Sequence, residues 1–189
     1  LPQIVVSGGT VYVAWLEGFP ANIAVVASTD NGATFNPILG GFPEFAYPTG
    51  GSGTSFFKLA ASGTNVYLIW KDDGTSSISF AGGLDFVTNV GGGTSFVVIT
   101  DLSTSGTAFS PDLAVSGNNV YAVWQDNDAL IDPNGDILFS SSPDNGVTFT
   151  TPPENLSSTS GSVSTNAKMS ASGSNVYVAG QDNSDGDND

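Results

Sequence analysis

The chain has 189 residues, with 18 Asp and Glu against 3 Lys, no Arg, no His and no Cys, and a formal net charge of −15. Without His or Cys, Ser–His and Cys–His nucleophile pairs and the usual zinc sites are excluded. Such acidity also argues against nucleic acid and anionic membranes as partners, and no apolar run approaches the ~20 residues of a membrane span.

The first predicted element is "PQIVVSGGTVYVAW", starting at Pro2. It returns as "FKLAASGTNVYLIW" at Phe57, "PDLAVSGNNVYAVW" at Pro111 and "AKMSASGSNVYVAG" at Ala167, at spacings of 55, 54 and 56 residues. Each copy reads as two strands rich in β-branched and aromatic residues, joined at a Ser-Gly turn. Tyr12, Tyr67, Tyr121 and Tyr177 share one phase of the repeat. Trp15, Trp70 and Trp124 share another, where the fourth copy has Gly180. Aromatics locked to a repeat are expected to pack between its units.

A second string, "STDNGATF" at 28–35, follows the first copy and returns as "SPDNGVTF" at 142–149. Between them, two periods apart, the middle copy has decayed to "GGLDFVTN", which keeps Asp85. In the third copy "DILFSSS" reads as a third strand, Asp-Asn-Gly as a hairpin turn, and "VTFT" as a fourth strand. No segment has helical period. The chain is therefore expected to be all-β, a β-propeller-like array of four-stranded antiparallel blades, about three and a half repeats of ~55 residues. Its blades would span 1–56, 57–110 and 111–166, with a partial fourth at 167–189.

Ser-x-Asp-x-Gly-x-Thr-Phe resembles the Asp-box (BNR-type) repeat of the sialidase-like propellers. The resemblance implies that Ser28, Asp30, Gly32, Thr34 and Phe35, Asp85, and Ser142, Asp144, Gly146, Thr148 and Phe149 are structural corners facing away from a substrate pocket. Physically, each Asp suits an Asx-type acceptor of turn amides, and each Phe suits packing between sheets. The arginine cluster that sialidases use to hold a carboxylate is absent.

The acids gather in two loops that follow second strands, "QDNDALIDPNGD" and "QDNSDGDND". These loops should emerge opposite the box turns, on the face that carries binding in related propellers. Asp132-x-Asn134-x-Asp136 and Asp185-x-Asp187-x-Asp189 alternate oxygen ligands, a spacing suited to a hard cation. The expected cofactor is none, or Ca²⁺ at these residues. One glycosylation sequon is present, at Asn155.

The chain opens at Leu1 without Met or a signal peptide, and so reads as mature or excised. Three and a half blades do not close a ring of about four to eight, and open blade edges invite pairing with other strands. The expected partners are copies of the same chain, in a homo-oligomer or polymer, or the remaining blades of a longer chain. The expected location is extracellular or the cell surface. A paired-carboxylate glycosidase stays open on composition, but no acid stands out at an apolar strand end. The expectation is therefore a non-catalytic structural or interaction subunit, not an enzyme, joined through its blade edges. A calcium-dependent adhesion module is a variant of that reading. The alternative is a fragment of a glycan-binding or glycan-hydrolysing propeller.

Overall fold

The computed structural model describes residues 1–18, 20–37, 44–46, 53–85, 98–103, 105–128, 134–157 and 161–184. Among them every regular element is a strand. The first sheet runs β1 (Gln3–Ser7), β2 (Thr10–Glu17), β3 (Asn22–Ser28) and β4 (Asn36–Pro37), with β5 (Glu44–Ala46) also paired to β3. The second runs β6 (Thr54–Ser62), β7 (Asn65–Asp72), β8 (Ser77–Asp85) and β9 (Val98–Ser103). The third runs β10 (Ala108–Ser116), β11 (Asn119–Asp126), β12 (Asp136–Ser142) and β13 (Glu154–Asn155). The fourth holds β14 (Ser164–Ser172) and β15 (Asn175–Asp182). Neighbouring strands pair antiparallel throughout.

Two expectations need correction. The strand after the third box is not "VTFT". Residues 147–150 belong to the turn region, and the outer strand is the two-residue β13, which pairs Glu154 with Phe139 and Asn155 with Leu138. The side chain and amide of Thr148 are spent on Asp144, which holds that stretch in the turn. The inner strands also begin three residues before their repeated strings, at Thr54, Ala108 and Ser164, so the proposed blade boundaries fall inside strands. A register shift in each of these strands hides the extra residues from the repeat pattern.

The core lies between successive sheets rather than inside any one of them. Tyr12, Ala14, Ile23 and Val25 of the first sheet meet Leu59, Val66, Leu68 and Trp70 of the second. Tyr67, Ile69, Ile78 and Phe80 of the second meet Leu113, Val120, Ala122 and Trp124 of the third. A thinner layer joins Val123 and Ile137 to Ala167. Covered sheets lose the simple alternation of a half-buried strand. Hence β7 is buried along most of its length while β15, with the same sequence pattern, is mostly exposed.

Trp70 and Trp124 are fully buried, and neither indole Nε1 has a partner among the described residues. The missing bond costs about 1–3 kcal/mol. Burying about 150–250 Å² of ring at ~25 cal/mol/Å² returns about 4–6 kcal/mol, so packing wins at these positions. Polar bonds between sheets set the angular placement of one sheet on the next. Tyr67 Oη donates to Asn145 Oδ1 (3.1 Å), and Ser62 Oγ donates to the Gly117 carbonyl (2.9 Å). The link from β9 to β10 is tied by Asp126, which is buried and accepts from Ser103 Oγ (2.9 Å), Ser105 Oγ (2.8 Å) and Thr107 Oγ1 (2.7 Å).

Candidate functional site

The inner strands β6, β10 and β14 carry the same defect at the same place. Their registers shift between Ser55 and Lys58, Phe109 and Asp112, and Thr165 and Lys168. In each shift one non-glycine residue takes a left-handed backbone: Phe56 (φ 51°), Ser110 (φ 51°) and Asn166 (φ 56°). A β-bulge re-aims side chains, and a left-handed non-glycine residue costs about 1 kcal/mol or more. Repeating that cost three times at one end of three sheets places Phe56, Ser110 and Asn166 around one cavity of 520 Å³.

Immediately beyond the bulges lies a second repeated position, filled by Gln3, Lys58, Asp112 and Lys168. The first three stitch the sheets together, whereas Lys168 Nζ donates to the carbonyl of its neighbour Ala167 (3.1 Å). Gln3 donates from Nε2 to the Phe57 carbonyl (2.6 Å) and accepts from the Leu59 amide (3.0 Å). Asp112, buried, accepts from the Met169 amide (2.9 Å) and lies 3.6 Å from Lys58 Nζ. Gln3, Lys58 and Lys168 line the cavity as well. The third lysine is at the same end: Lys71 Nζ bonds Asp73 (2.9 Å), which also accepts from Ser55 Oγ (2.7 Å). Desolvation pushes the Asp73 carboxyl up, but the Lys71 and Ser55 donors outweigh it and hold it below the usual range. In a chain of net charge −15, every cationic side chain is thus at this end. The lining offers an aromatic face that is 63% exposed, at Phe56, beside amide, hydroxyl and ammonium donors. That combination suits a polyhydroxylated ring.

The box turns lie at the other end of the sheets, between β3 and β4 and between β12 and β13. Asp30 accepts from Ser28 Oγ (2.7 Å), the Thr34 amide (2.8 Å) and Thr34 Oγ1 (2.6 Å). Asp144 repeats this with Ser142 Oγ (2.7 Å), the Thr148 amide (2.9 Å) and Thr148 Oγ1 (2.7 Å). The amides of Gly32 and Gly146 each donate to the box serine at 2.8 Å. The Thr34 and Thr148 donors, aided by the serines, lower both carboxyls to about 2. Phe149 packs edge-on to Phe80 of the second sheet, centroids 4.8 Å apart, whereas Phe35 is 43% exposed. Asp85 ends β8 opposite Asn65.

Of the candidate cation ligands, Asp132 and the whole of Asp185, Asp187 and Asp189 lie outside the described residues. Asp136 is buried and accepts from Asn155 Nδ2 (2.7 Å) and Ser157 Oγ (2.9 Å). Among the described residues no three Asp or Glu gather as a metal site. The sequon amide of Asn155 is the one that donates to Asp136.

Sequence reasoning missed the cavity residues. The signal was present within the repeat: the positions of Leu1, Phe56, Ser110 and Asn166, and of Gln3, Lys58, Asp112 and Lys168, change identity from copy to copy, as does the position between them, while the Ser-Gly and Val-Tyr positions further along hold. Positions released from a packing pattern are where a repeat protein differentiates its blades.

No family model matches the chain, and no curated protein matches it. Solved structures do. An α-L-arabinanase of Penicillium chrysogenum, complexed with arabinobiose, superposes with a TM-score of 0.59 at 15% identity, over 97% of this chain and 61% of that one. An α-L-arabinofuranosidase of Fusarium graminearum, with an iminosugar inhibitor, gives 0.55 at 14% identity, over 97% and 60%. An exo-β-1,3-galactanase of Clostridium thermocellum gives 0.52 at 14% identity, over 96% and 41%. The fold is that of a β-propeller. The chain spans 41–61% of the length of these neighbours.

All three neighbours are glycoside hydrolases. They count against the reading of a non-catalytic structural subunit, and with it against the expectation that the chain is not an enzyme. The error has a physical source. Lack of Arg, His and Cys removes sialidase and triad chemistry, but hydrolysis by two carboxylates needs none of them, and 18 acids are present. No helix among the described residues is long and apolar enough to cross a membrane.

Proposed function

We propose that this chain is part of an extracellular glycan-hydrolysing propeller, and that the cavity at the bulged ends of the sheets is its sugar-binding end. One observation carries the reading: three strained non-glycine residues, Phe56, Ser110 and Asn166, aim into a single cavity on the face away from the box turns. Phe56 acts as the platform for a sugar ring. Lys58, Asn166 and Lys168 donate to its hydroxyls, and Asp112 is a positioning residue that holds Lys58 and the neighbouring sheet. The resemblance of the neighbours makes arabinan and β-1,3-galactan the first polymers to try.

The test is calorimetric titration of arabinobiose and β-1,3-galactobiose, with release of reducing sugar from both polymers measured alongside. Phe56→Ala should weaken sugar binding by about tenfold or more. Because Phe56 is exposed and strained, the variant should melt no lower than the parent. Sugar binding that ignores both Phe56→Ala and Lys168→Met would remove the cavity from the account, and failure to bind or cleave either glycan would remove the function.

A further inference from the structure

The four copies of the repeated string end in Trp15, Trp70, Trp124 and Gly180. Trp70 and Trp124 are fully buried, each in the layer between its own sheet and the one before. Each shares its layer with a fixed isoleucine of the preceding sheet, Ile23 for Trp70 and Ile78 for Trp124. Those isoleucines stand opposite Leu16 and Lys71, the residues that follow the tryptophan position in their own sheets. Ile137 holds the same place in the third sheet, opposite Gln125. The residue of the fourth sheet that should cover Ile137 is Gly180.

Where the indole would lie there is a pocket of 370 Å³, walled by the apolar Ile137, Leu156, Ala167, Val178 and Gly180 together with the polar Ser157, Ser164, Gln181 and Asp182. A cavity of about 150 Å³ with aliphatic walls is enough to hold benzene. The layer around this slot is thin, with only Val123, Ile137 and Ala167 fully within it and Phe139 and Met169 against it. Among the described residues the fourth sheet consists of β14 and β15. The two filled slots also report what the site selects. Trp70 and Trp124 sit there with no partner for Nε1 among the described residues, so a flat ring fills the place without a hydrogen bond.

We propose that the slot between the third and fourth sheets is a binding site for a small planar aromatic molecule of indole size, independent of the cavity at the bulged ends of the sheets. The ring lies over Ile137, as Trp124 shares its layer with Ile78 one sheet earlier. Gly180 keeps the slot open, and nothing in its backbone demands glycine. A Cβ there would stand 3.2 Å from the Thr165 carbonyl oxygen, so a side chain needs that backbone to give by a few tenths of an ångström.

Indole itself is the probe. It is titrated into the whole chain while the amide resonances of Ile137, Ala167, Val178 and Gly180 and the melting temperature are followed. Saturable shifts at those amides at millimolar indole, with a melting temperature that rises with indole, are expected. Gly180→Trp and the smaller plug Gly180→Leu should each weaken indole binding by about tenfold or more. The proposal falls if the parent chain shows no saturable shift, or if the shifts centre on other residues. It also falls if a folded plugged variant binds as the parent does. The parent titration and the leucine variant decide the matter even where the tryptophan variant does not fold.

Discussion

The two box turns are the same object in two settings. Ser28–Phe35 and Ser142–Phe149 make the same hydrogen bonds to within about 0.1 Å, and their carboxyls are lowered alike. What differs is the sheet next door. The box of the third sheet lies on the second: Asn145 receives Tyr67 Oη, Phe149 meets Phe80, and Gly146 is buried against that same ring. The box of the first sheet has no such neighbour among the described residues, and Phe35 faces outward. The turn is therefore encoded by eight residues, and the contact between blades is encoded separately, by residues about 80 positions away in the chain (Asn65 and Tyr67 with Asn145).

The largest separation between the two settings is expected at the box glycines. Gly32 (φ 87°) and Gly146 (φ 83°) share a left-handed backbone, so alanine costs both about 1 kcal/mol from conformation alone. A Cβ on Gly32 meets nothing within 4 Å, whereas on Gly146 it would stand 2.5 Å from two ring carbons of Phe80. Gly146→Ala should then destabilise by about 2–4 kcal/mol in denaturant unfolding, and Gly32→Ala by about 1 kcal/mol. Equal losses would mean that the packing of the third box on the second sheet is not as described.

Much of this was legible in the sequence because it is local. Asn-Gly turns, Ser-Gly links and β-branched runs act within a few residues, so the strand pairs and both boxes could be read directly. The burial of Trp70 and Trp124 agrees with their phase, but Trp15 in the same phase is half-buried and donates to Glu17 (3.2 Å). The bulges were not legible. A left-handed residue announces itself when it is glycine, and here it is Phe56, Ser110 and Asn166, held by neighbouring strands rather than by their own preference. The cavity was hidden for a related reason. It is assembled from four inner strands about 55 residues apart, and no window of sequence shows it. The expectation of a non-catalytic subunit rested on composition, which removes sialidase and triad chemistry and leaves carboxylate chemistry open.

A smaller effect should separate two tyrosines of the same phase. Tyr67 is fully buried and its hydroxyl reaches the third box, whereas Tyr177 is 61% exposed. Tyr67→Phe removes a donor from Asn145 and should cost about 1 kcal/mol. Tyr177→Phe should leave the unfolding midpoint where it is. A matching loss at Tyr177 would show that its hydroxyl is engaged by a sheet beyond the fourth, which places the two residues in the same setting after all.

The last effect is the one that should not differ between the boxes. Both Asp30 and Asp144 have their carboxyls lowered from 3.8 to about 2 by hydrogen bonds made within the turn itself. A lowered carboxyl contributes stability that is fully present above its unfolded value near 3.8 and is lost as the pH falls toward 2. Asp30→Asn and Asp144→Asn should therefore each flatten the fall of stability with acid over that same window, and by similar amounts. Both groups are solvent-exposed, so the slope each one removes is small and is read best as a difference between parent and variant across the pH series. If only Asp144→Asn flattens the curve, the carboxyl is held down by the blade beside it and not by its own turn. Equal flattening, set against unequal losses at Gly32 and Gly146, would divide the box into a self-sufficient corner and a contact that depends on its neighbour.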